Sequence, residues 1–316
     1  MSDAMLSAAR PLGVRLDEIE SRFRTAELEV SRDGDTLVLR HETSLNGATL
    51  QTRVAVMPPD AEDAQASSVK AVIRIFTALP AVYAQRYDAE MIAFANRFAS
   101  LGAFTVTDGI SFIGSRLTVY QGDDDWAWQL PIAVVAAAAS VDAITGGMQR
   151  FLTKAQPQAA SSAWTEQDLD VVAAELSKTC ICTRNRSGLA AEFRLKGETS
   201  AENATASTAY WELLREPSHS ELGGGLLCIL QLSHRLGDAQ KRHAALNLLN
   251  VSEMNSPGLP PHIGAWCEGK GGDNLAYVSF LPNLLHDVPG IATQASLWAR
   301  SRAEAVVNLL AAASAG

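Results

Sequence analysis

Apolar and polar positions along the first half of the chain predict strands separated by helices. Residues 36–42 and 49–57 are strand-like, and residues 69–79 form a run rich in β-branched residues. Residues 85–101 carry apolar side chains at mixed spacings of three and four, which predicts a helix that ends at Gly102. The complete prediction is a helix at 17–24, strands at 26–31, 36–42, 49–57 and 69–79, a helix at 85–101, strands at 104–107, 111–120 and 125–130, and a helix after Pro131. Asp108-Gly109 is the predicted turn between the strands at 104–107 and 111–120.

The second half repeats this order of elements. Thr165, followed by Asp168, is typical of a helix N-cap. The predicted elements are a helix to residue 178, strands at 179–184, 190–196, 207–215 and 226–232, a helix at 239–253, strands at 264–268 and 275–280, and a helix at 291–313. We therefore expect an α+β fold, in which each half is an antiparallel sheet packed with helices.

An internal repeat supports two tandem domains. At a constant offset of 154, Ile73 falls on Leu227 and Asn96 falls on Asn250, each Asn near the end of an apolar helix. The expected domains are residues 1–153 and 164–316, and the polar segment 154–163, "KAQPQAASSA", is the expected linker.

The same comparison matches "WAWQLP", which begins at Trp126, with "YVSFLP", which begins at Tyr277. In this alignment the three acids Asp123 to Asp125 are aligned with Asn274-Leu-Ala in the second copy. Because the second copy lacks the acids, we interpret them as turn residues and not as ligands of a cation.

Composition and charge restrict the possible partners. The 316 residues carry a formal net charge of −9, which disfavours nucleic acid and anionic membrane surfaces. The chain shows no signal-peptide pattern and no apolar run long enough to span a membrane. Four cysteines without a zinc-binding pattern suggest buried thiols in a reducing compartment, so we expect a cytoplasmic protein.

Motifs that would carry chemistry are weak. Gly264 to Lys270 fits G-x-x-x-x-G-K, but Gly271 stands where a phosphate loop needs Ser or Thr. The six histidines are scattered, and no catalytic motif accompanies them. We therefore expect no enzyme activity, no cofactor and no metal.

The pattern of the second half resembles a known family. An apolar helix ending in "LN" is followed by a turn-rich stretch, the strand "GAWCE", the turn "GKGGDN" and "LAYVSFLP", and the first half has "FANRF", "GAFTVTDG" and "WAWQLP" in these places. Each half resembles the YbjN family, of the type III secretion chaperone-like fold. The resemblance implies domains that bind partner proteins or unfolded segments of them. Because members of this fold pair as dimers, it also implies that the two halves form an intramolecular pseudo-dimer.

Three aromatic residues are the candidate partner contacts. Trp128 shares a predicted strand face with Trp126, and its match in the second copy is a serine, so the fold does not require it. Trp211 is adjacent to Tyr210 on a predicted strand, where one of the two is expected in the core; Tyr83 lies in a segment that forms either a groove edge or a plain loop. The expected function is a non-enzymatic, chaperone-like protein-binding or regulatory module. The alternative is a small-molecule sensor with its ligand between the halves.

Overall fold

The computed structural model describes residues 14–42, 49–57, 69–80, 88–120, 126–145, 161–195, 207–215, 217–219, 222–235, 238–256, 260–269 and 274–315. The first half consists of α1 (Leu16–Thr25), β1 (Val30–Asp33), β2 (Thr36–Glu42), β3 (Thr49–Met57), β4 (Val69–Ala78), α2 (Ala89–Ala95), β5 (Ala103–Thr107), β6 (Ile110–Tyr120) and α3 (Trp126–Thr145). The second consists of α4 (Glu166–Leu176), β7 (Ile181–Arg184), β8 (Gly188–Leu195), β9 (Ser207–Leu214), β10 (Ser218–His219), β11 (Gly223–Arg235), α5 (Ala239–Asn255), β12 (Ala265–Glu268), β13 (Asn274–Pro282), a 3₁₀ turn (Asn283–Leu285) and α6 (Ile291–Ala315).

Two antiparallel sheets follow the same path, which confirms the predicted α+β class. The first has the order β1-β2-β3-β4-β6-β5 and the second β7-β8-β9-β11-β13-β12, with the short β10 paired to β11. In each half the first and last helices pack on one face of the sheet, α1 and α3 in the first half and α4 and α6 in the second. The other two described helices, α2 and α5, pack against each other between the two halves.

The paired asparagines of the repeat have the same structural role. Asn96 Nδ2 donates to the backbone oxygen of Phe104, and its Oδ1 accepts from the Phe104 amide. Asn250 makes the same two bonds with Trp266, in the corresponding strand of the second half. Each asparagine therefore ties the central helix to the edge strand that follows it.

The strand alignment inferred from the repeat is one residue out of register. Ile73 is fully buried and pairs with Leu117, whereas Leu227 is only half-buried. Its neighbour Leu226 is fully buried and pairs with Leu281. Successive side chains of a strand point to opposite faces of the sheet. The offset of 154 therefore matches the buried Ile73 with a residue on the other face, and its true counterpart is Leu226.

The segment "WAWQLP" is the start of helix α3, so the predicted strand at 125–130 is wrong. Its buried residues continue at helical spacing into the alanine-rich part of the helix. They are Trp126, Ala127, Leu130, Ala133 and Val134. The match with "YVSFLP" is also wrong, because that segment belongs to strand β13, whose counterpart is β6.

The two-residue turn between β5 and β6 was predicted from Asp108-Gly109. Thr107 pairs with Ile110, and Asp108 and Gly109 have φ values of 52° and 76°. Positive φ at both central positions is typical of the type I′ turn, which suits the twist of a hairpin.

Most of the predicted linker lies outside the described residues. At its end, the Ser162 hydroxyl donates to the backbone of Gly225, and the Ala163 amide donates to Asn283 Oδ1. The chain is thus attached to the second half before α4 begins.

Candidate functional site between the two halves

Helices α2 and α5 form a layer in which each half contacts the edge strand of the other. The Asn247 side chain of α5 accepts from the Val106 amide of β5 and donates to its carbonyl. From the first half, the Ser100 hydroxyl donates to the carbonyl of Phe280, and Arg97 pairs with Glu268 at 3.1 Å. These contacts join described residues of the two halves directly.

Glu268 is the acidic centre of a small ionic cluster at this boundary. Its two carboxylate oxygens contact Arg97 on one side and Arg242 and His243 on the other. Burial of the carboxylate opposes ionisation, but the hydrogen bond from Arg242 and the charges of all three partners outweigh it. The pKa of Glu268 is therefore lowered.

The second half also extends the first sheet. Pairing between β5 and β6 ends at Ala103 and Gly114, and His262 takes the next place along β6. The His262 amide donates to the carbonyl of Arg116 at 2.8 Å, and the Arg116 amide donates back at 3.2 Å. The Arg116 guanidinium donates to the backbone oxygens of Glu253 and Pro260, so this residue of the first half binds two segments of the second.

Behind Arg116 lies a buried ion pair. Arg302 of α6 donates through Nε to both carboxylate oxygens of Glu253, at 2.8 Å each. The indole of Trp266 donates to the same carboxylate at 2.6 Å, and the guanidinium carbon of Arg302 lies 4.0 Å from the ring centre of Tyr277. All four side chains are buried, so the cluster holds α5, α6, β12 and β13 together.

Burial changes the acid–base behaviour of this region. It lowers the pKa of Arg116 to about 10, which still leaves the guanidinium charged at neutral pH. Burial, together with the charges of Arg302 and Arg116, lowers the pKa of His262 well below its usual value. His262 is therefore neutral, and within the described residues neither of its ring nitrogens has a hydrogen-bond partner.

A cleft of about 470 Å³ lies between the outer face of the first sheet and the last turns of α5. Its apolar lining includes Phe76 and Phe112, whose rings meet edge to face at 5.6 Å. Ile110, which is 60% exposed, lies at the turn between β5 and β6. The remaining lining residues are Gln51, Arg53, Ala78, Thr107, Asp108, Val251, Met254 and Asn255.

The length of α5 explains why the cleft forms over the first sheet. Helix α5 has 17 residues against 7 in α2. Asn96 follows the last residue of α2, but Asn250 is followed by five more residues of α5. These extra residues carry Val251, Met254 and Asn255 across the first sheet, so one wall of the cleft belongs to the second half.

The three candidate aromatic contacts have different positions. The Trp211 indole is 2% exposed and donates to Ser296 Oγ, so it belongs to the core, and the exposed member of the pair is Tyr210. Trp128 lies in helix α3 and not on a strand. Tyr83 lies outside the described residues. Trp211 is therefore not an exposed contact, and it does not line the cleft described above.

The structure also bears on the sequence motifs that could bind a phosphate group or a metal ion. Residues 265–268 of the G-x-x-x-x-G-K segment form strand β12, which lacks the helix N-terminus that a phosphate loop requires, and Lys270 lies outside the described residues. Asp123 to Asp125 lie outside them as well, and their comparison with Asn274 no longer holds because that residue begins β13. Among the described residues, no three His, Cys, Asp or Glu side chains are grouped for a metal ion.

Comparison with protein-family models, with curated proteins and with solved structures finds no match for this chain. None of the described helices has the length and apolar character needed to cross a bilayer.

No sequence signal predicted the cleft, because its floor and its wall come from different halves. Arg116, Glu253 and Arg302 also went unnoticed, since single charged residues in otherwise apolar segments resemble surface positions.

Proposed function

We propose that the protein is a non-enzymatic sensor that binds a small amphipathic molecule in the cleft between its two halves. The observation that carries this proposal is the cleft itself, which has an apolar floor and is lined by residues from both halves. Its volume of about 470 Å³ lies within the range of known small-molecule sites.

The lining indicates the class of ligand. Phe76, Phe112 and Met254 offer an apolar surface for a ring or a short aliphatic body. Gln51, Arg53 and Asn255 provide donors at the rim, and Arg53 contacts Asp33 at 3.2 Å through one of its several N–H groups. A ligand with an apolar body and an acceptor or anionic group fits this arrangement.

The proposal of a non-enzymatic function rests on the state of the charged residues. Glu253 and Arg302 are enclosed and paired with each other, and Arg116 is engaged with backbone oxygens. These groups stabilise the junction of the halves, and none of them lines the cleft. A ligand that contacts both walls would stabilise the folded chain by an amount that grows with the logarithm of its free concentration above its Kd.

The test uses 8-anilinonaphthalene-1-sulfonate, an aromatic anion, as the probe. We expect saturable binding, seen by fluorescence titration, and a shift of the Met254 methyl signal in ¹³C-methionine NMR spectra. Ala78→Trp fills the cleft opposite Phe112 and should abolish both effects.

The matched control is Ala239→Trp, at the exposed first turn of α5 and outside the cleft lining. This variant should bind the probe as the unmodified chain does. Equal binding by Ala78→Trp and the unmodified chain, with both proteins folded by circular dichroism, would exclude the cleft as the site.

A second candidate is the chaperone-like binding of unfolded protein segments, which the resemblance implies. The outer face of the second sheet favours it. Ile181, Glu192 and Tyr210 are cross-strand neighbours in one row, and Ile181 and Tyr210 are 62% and 47% exposed. An aromatic and an aliphatic side chain on an open sheet face offer contacts to an extended apolar segment.

Reduced, carboxymethylated α-lactalbumin is a suitable permanently unfolded probe for this candidate. The double variant Ile181→Ser/Tyr210→Ser should weaken its binding, measured by fluorescence anisotropy. Leu297→Ser, at an exposed position of α6, is the control and should not. Absence of binding to the unmodified chain would reject this second candidate and leave the cleft proposal intact.

A further inference from the structure

Cys180 and Cys182 form a thiol pair at the junction of α4 and β7. Their sulfur atoms are 3.7 Å apart, and both residues are only half-buried. The Cys180 thiol also donates to the carbonyl of Leu176, in the last turn of α4, so its sulfur has two neighbours that hold its position. The other two cysteines, Cys228 and Cys267, are fully buried.

The two sulfurs are close enough for both to bond one metal or metalloid atom after only a small movement. Two sulfurs bonded at about 2.3 Å to a tetrahedral centre, as in a zinc–thiolate site, lie about 3.8 Å apart. A structural zinc site needs four ligands, and within the described residues no third His, Cys, Asp or Glu joins the pair. The pair by itself therefore suits an electrophilic atom that needs only two sulfur ligands from the protein.

The surroundings favour an uncharged product. Both side chains pack against the hydrophobic core. Burial raises the pKa of Cys180 to about 11, and the contact with Cys182 acts in the same direction. Both facts disfavour chemistry that leaves a charged thiolate, and favour a reaction in which each thiol proton leaves with the displaced group.

We propose that Cys180 and Cys182 form a dithiol site for trivalent arsenicals, that is, arsenous acid or an organoarsenous acid. Two As–O bonds break and two As–S bonds form. Each thiol proton leaves with a hydroxyl group as water, so one arsenical and two thiols give one cyclic dithioarsenite and two waters. No atom changes its oxidation state, and the product is neutral.

The second sulfur gives the site its selectivity over ordinary thiols. Once the first As–S bond has formed, Cys182 is held beside the arsenic atom at a high effective concentration. A free monothiol releases the arsenic atom only if it replaces both protein sulfurs before either of them re-forms its bond. The adduct should therefore survive about a hundredfold molar excess of glutathione, because the tethered second thiol re-forms its bond before the ligand escapes.

The experiment adds one equivalent of phenylarsine oxide to the reduced, full-length chain under native conditions and measures the intact mass. We expect one phenylarsenic group per chain, retained in excess glutathione and removed by 2,3-dimercaptopropanol. Trypsin cleavage after Lys178 and Arg184 should place it on the peptide "TCICTR", residues 179–184. The peptides with Cys228 and Cys267 serve as internal controls and should stay unmodified.

Localisation in the unmodified chain makes the result independent of any variant's folding. Cys182→Ala should convert the adduct into one that glutathione removes, since a single sulfur remains. An adduct on another peptide, an adduct displaced by glutathione in the unmodified chain, or a disulfide between residues 180 and 182 in place of the adduct would overturn the proposal.

Discussion

At the scale of single residues, Glu253 and Arg302 form an ion pair within the described core. Both side chains are almost fully enclosed, and Trp266 supplies a further donor to the carboxylate. Removing one partner of such a pair leaves an uncompensated buried charge, whereas removing both does not.

Arg302→Met should lower the free energy of unfolding by about 3–5 kcal/mol, because Glu253 keeps its charge without its partner. The double variant Glu253→Gln/Arg302→Met should lose less than the sum of the two single variants. Urea unfolding measures both. Arg300→Met, whose partner Glu304 is partly exposed, is the control and should cost less than about 1 kcal/mol.

His262 predicts a pH dependence of stability. Its pKa in the folded chain is well below the unfolded value of about 6.5. Below that pH the unfolded chain binds a proton that the folded chain does not, so stability is complete above about pH 6.5 and falls as the pH decreases, by up to about 1.4 kcal/mol per pH unit. His41 and His219, whose pKa values are also lowered by burial, contribute in the same direction.

The variant His262→Phe should make the fall in unfolding free energy between about pH 6.5 and 5 shallower, since one such proton disappears. The measurement is urea unfolding at a series of pH values. If the slope stays unchanged, His262 is protonated in the folded chain, contrary to this prediction.

At the scale of elements, the two asparagines hold equivalent helix–strand junctions. Asn96 and Asn250 each donate to and accept from one residue of the following strand, and both are buried. A side-chain amide satisfies a backbone amide and a carbonyl at once, which alanine and aspartate cannot do.

Asn96→Ala and Asn250→Ala should each cost about 1–3 kcal/mol, since each leaves a buried donor and acceptor without partners. Thermal or urea unfolding measures the loss. Asn255→Ala, at an exposed helix position, should change stability by less than about 0.5 kcal/mol. A large loss of stability for only one of the two variants would show that Asn96 and Asn250 do not contribute equally to stability.

At the scale of the whole molecule, a glycine in one half makes room for a methionine of the other. A Cβ atom at Gly114 of β6 would collide with Met254 Sδ of α5. The absence of a side chain at this position therefore allows α5 to approach the first sheet and to form the wall of the cleft.

Gly114→Ala should destabilise the chain by about 1–3 kcal/mol through overpacking. Met254→Ala removes the collision, so the double variant should be more stable than the sum of the single effects by about 1 kcal/mol or more. The measurement is a double-mutant cycle by urea unfolding. The control combines Gly114→Ala with Met91→Ala, a substitution at a half-buried position of α2, and should give additive effects on the free energy of unfolding. Additive effects of Gly114→Ala and Met254→Ala would contradict the contact between the two positions.

Local rules predicted most of the order of elements, apart from the strand at 125–130. The Asp108-Gly109 turn, the Thr165 cap and the recurrence of asparagine near the end of the central helices were all identified from sequence. These features depend on a few neighbouring residues, whose backbone preferences act in the same way in any fold.

The tertiary structure decided the register of the strands, the helical state of "WAWQLP" and the site between the halves. A run of apolar residues accepts a slip of one position without any local penalty, so only the opposing strand selects Leu226 and not Leu227 as the counterpart of Ile73. Trp126 and Leu130 suit either period over so short a segment, and only their burial in a helix distinguishes the two.

The contact between Arg116 and Glu253 joins residues 137 positions apart, and no local pattern contains that distance. The sequence by itself determined what each segment can form, because those preferences are local. Packing decided which segments contact each other, because the central helices α2 and α5 bury both of their faces only when the two halves pack together.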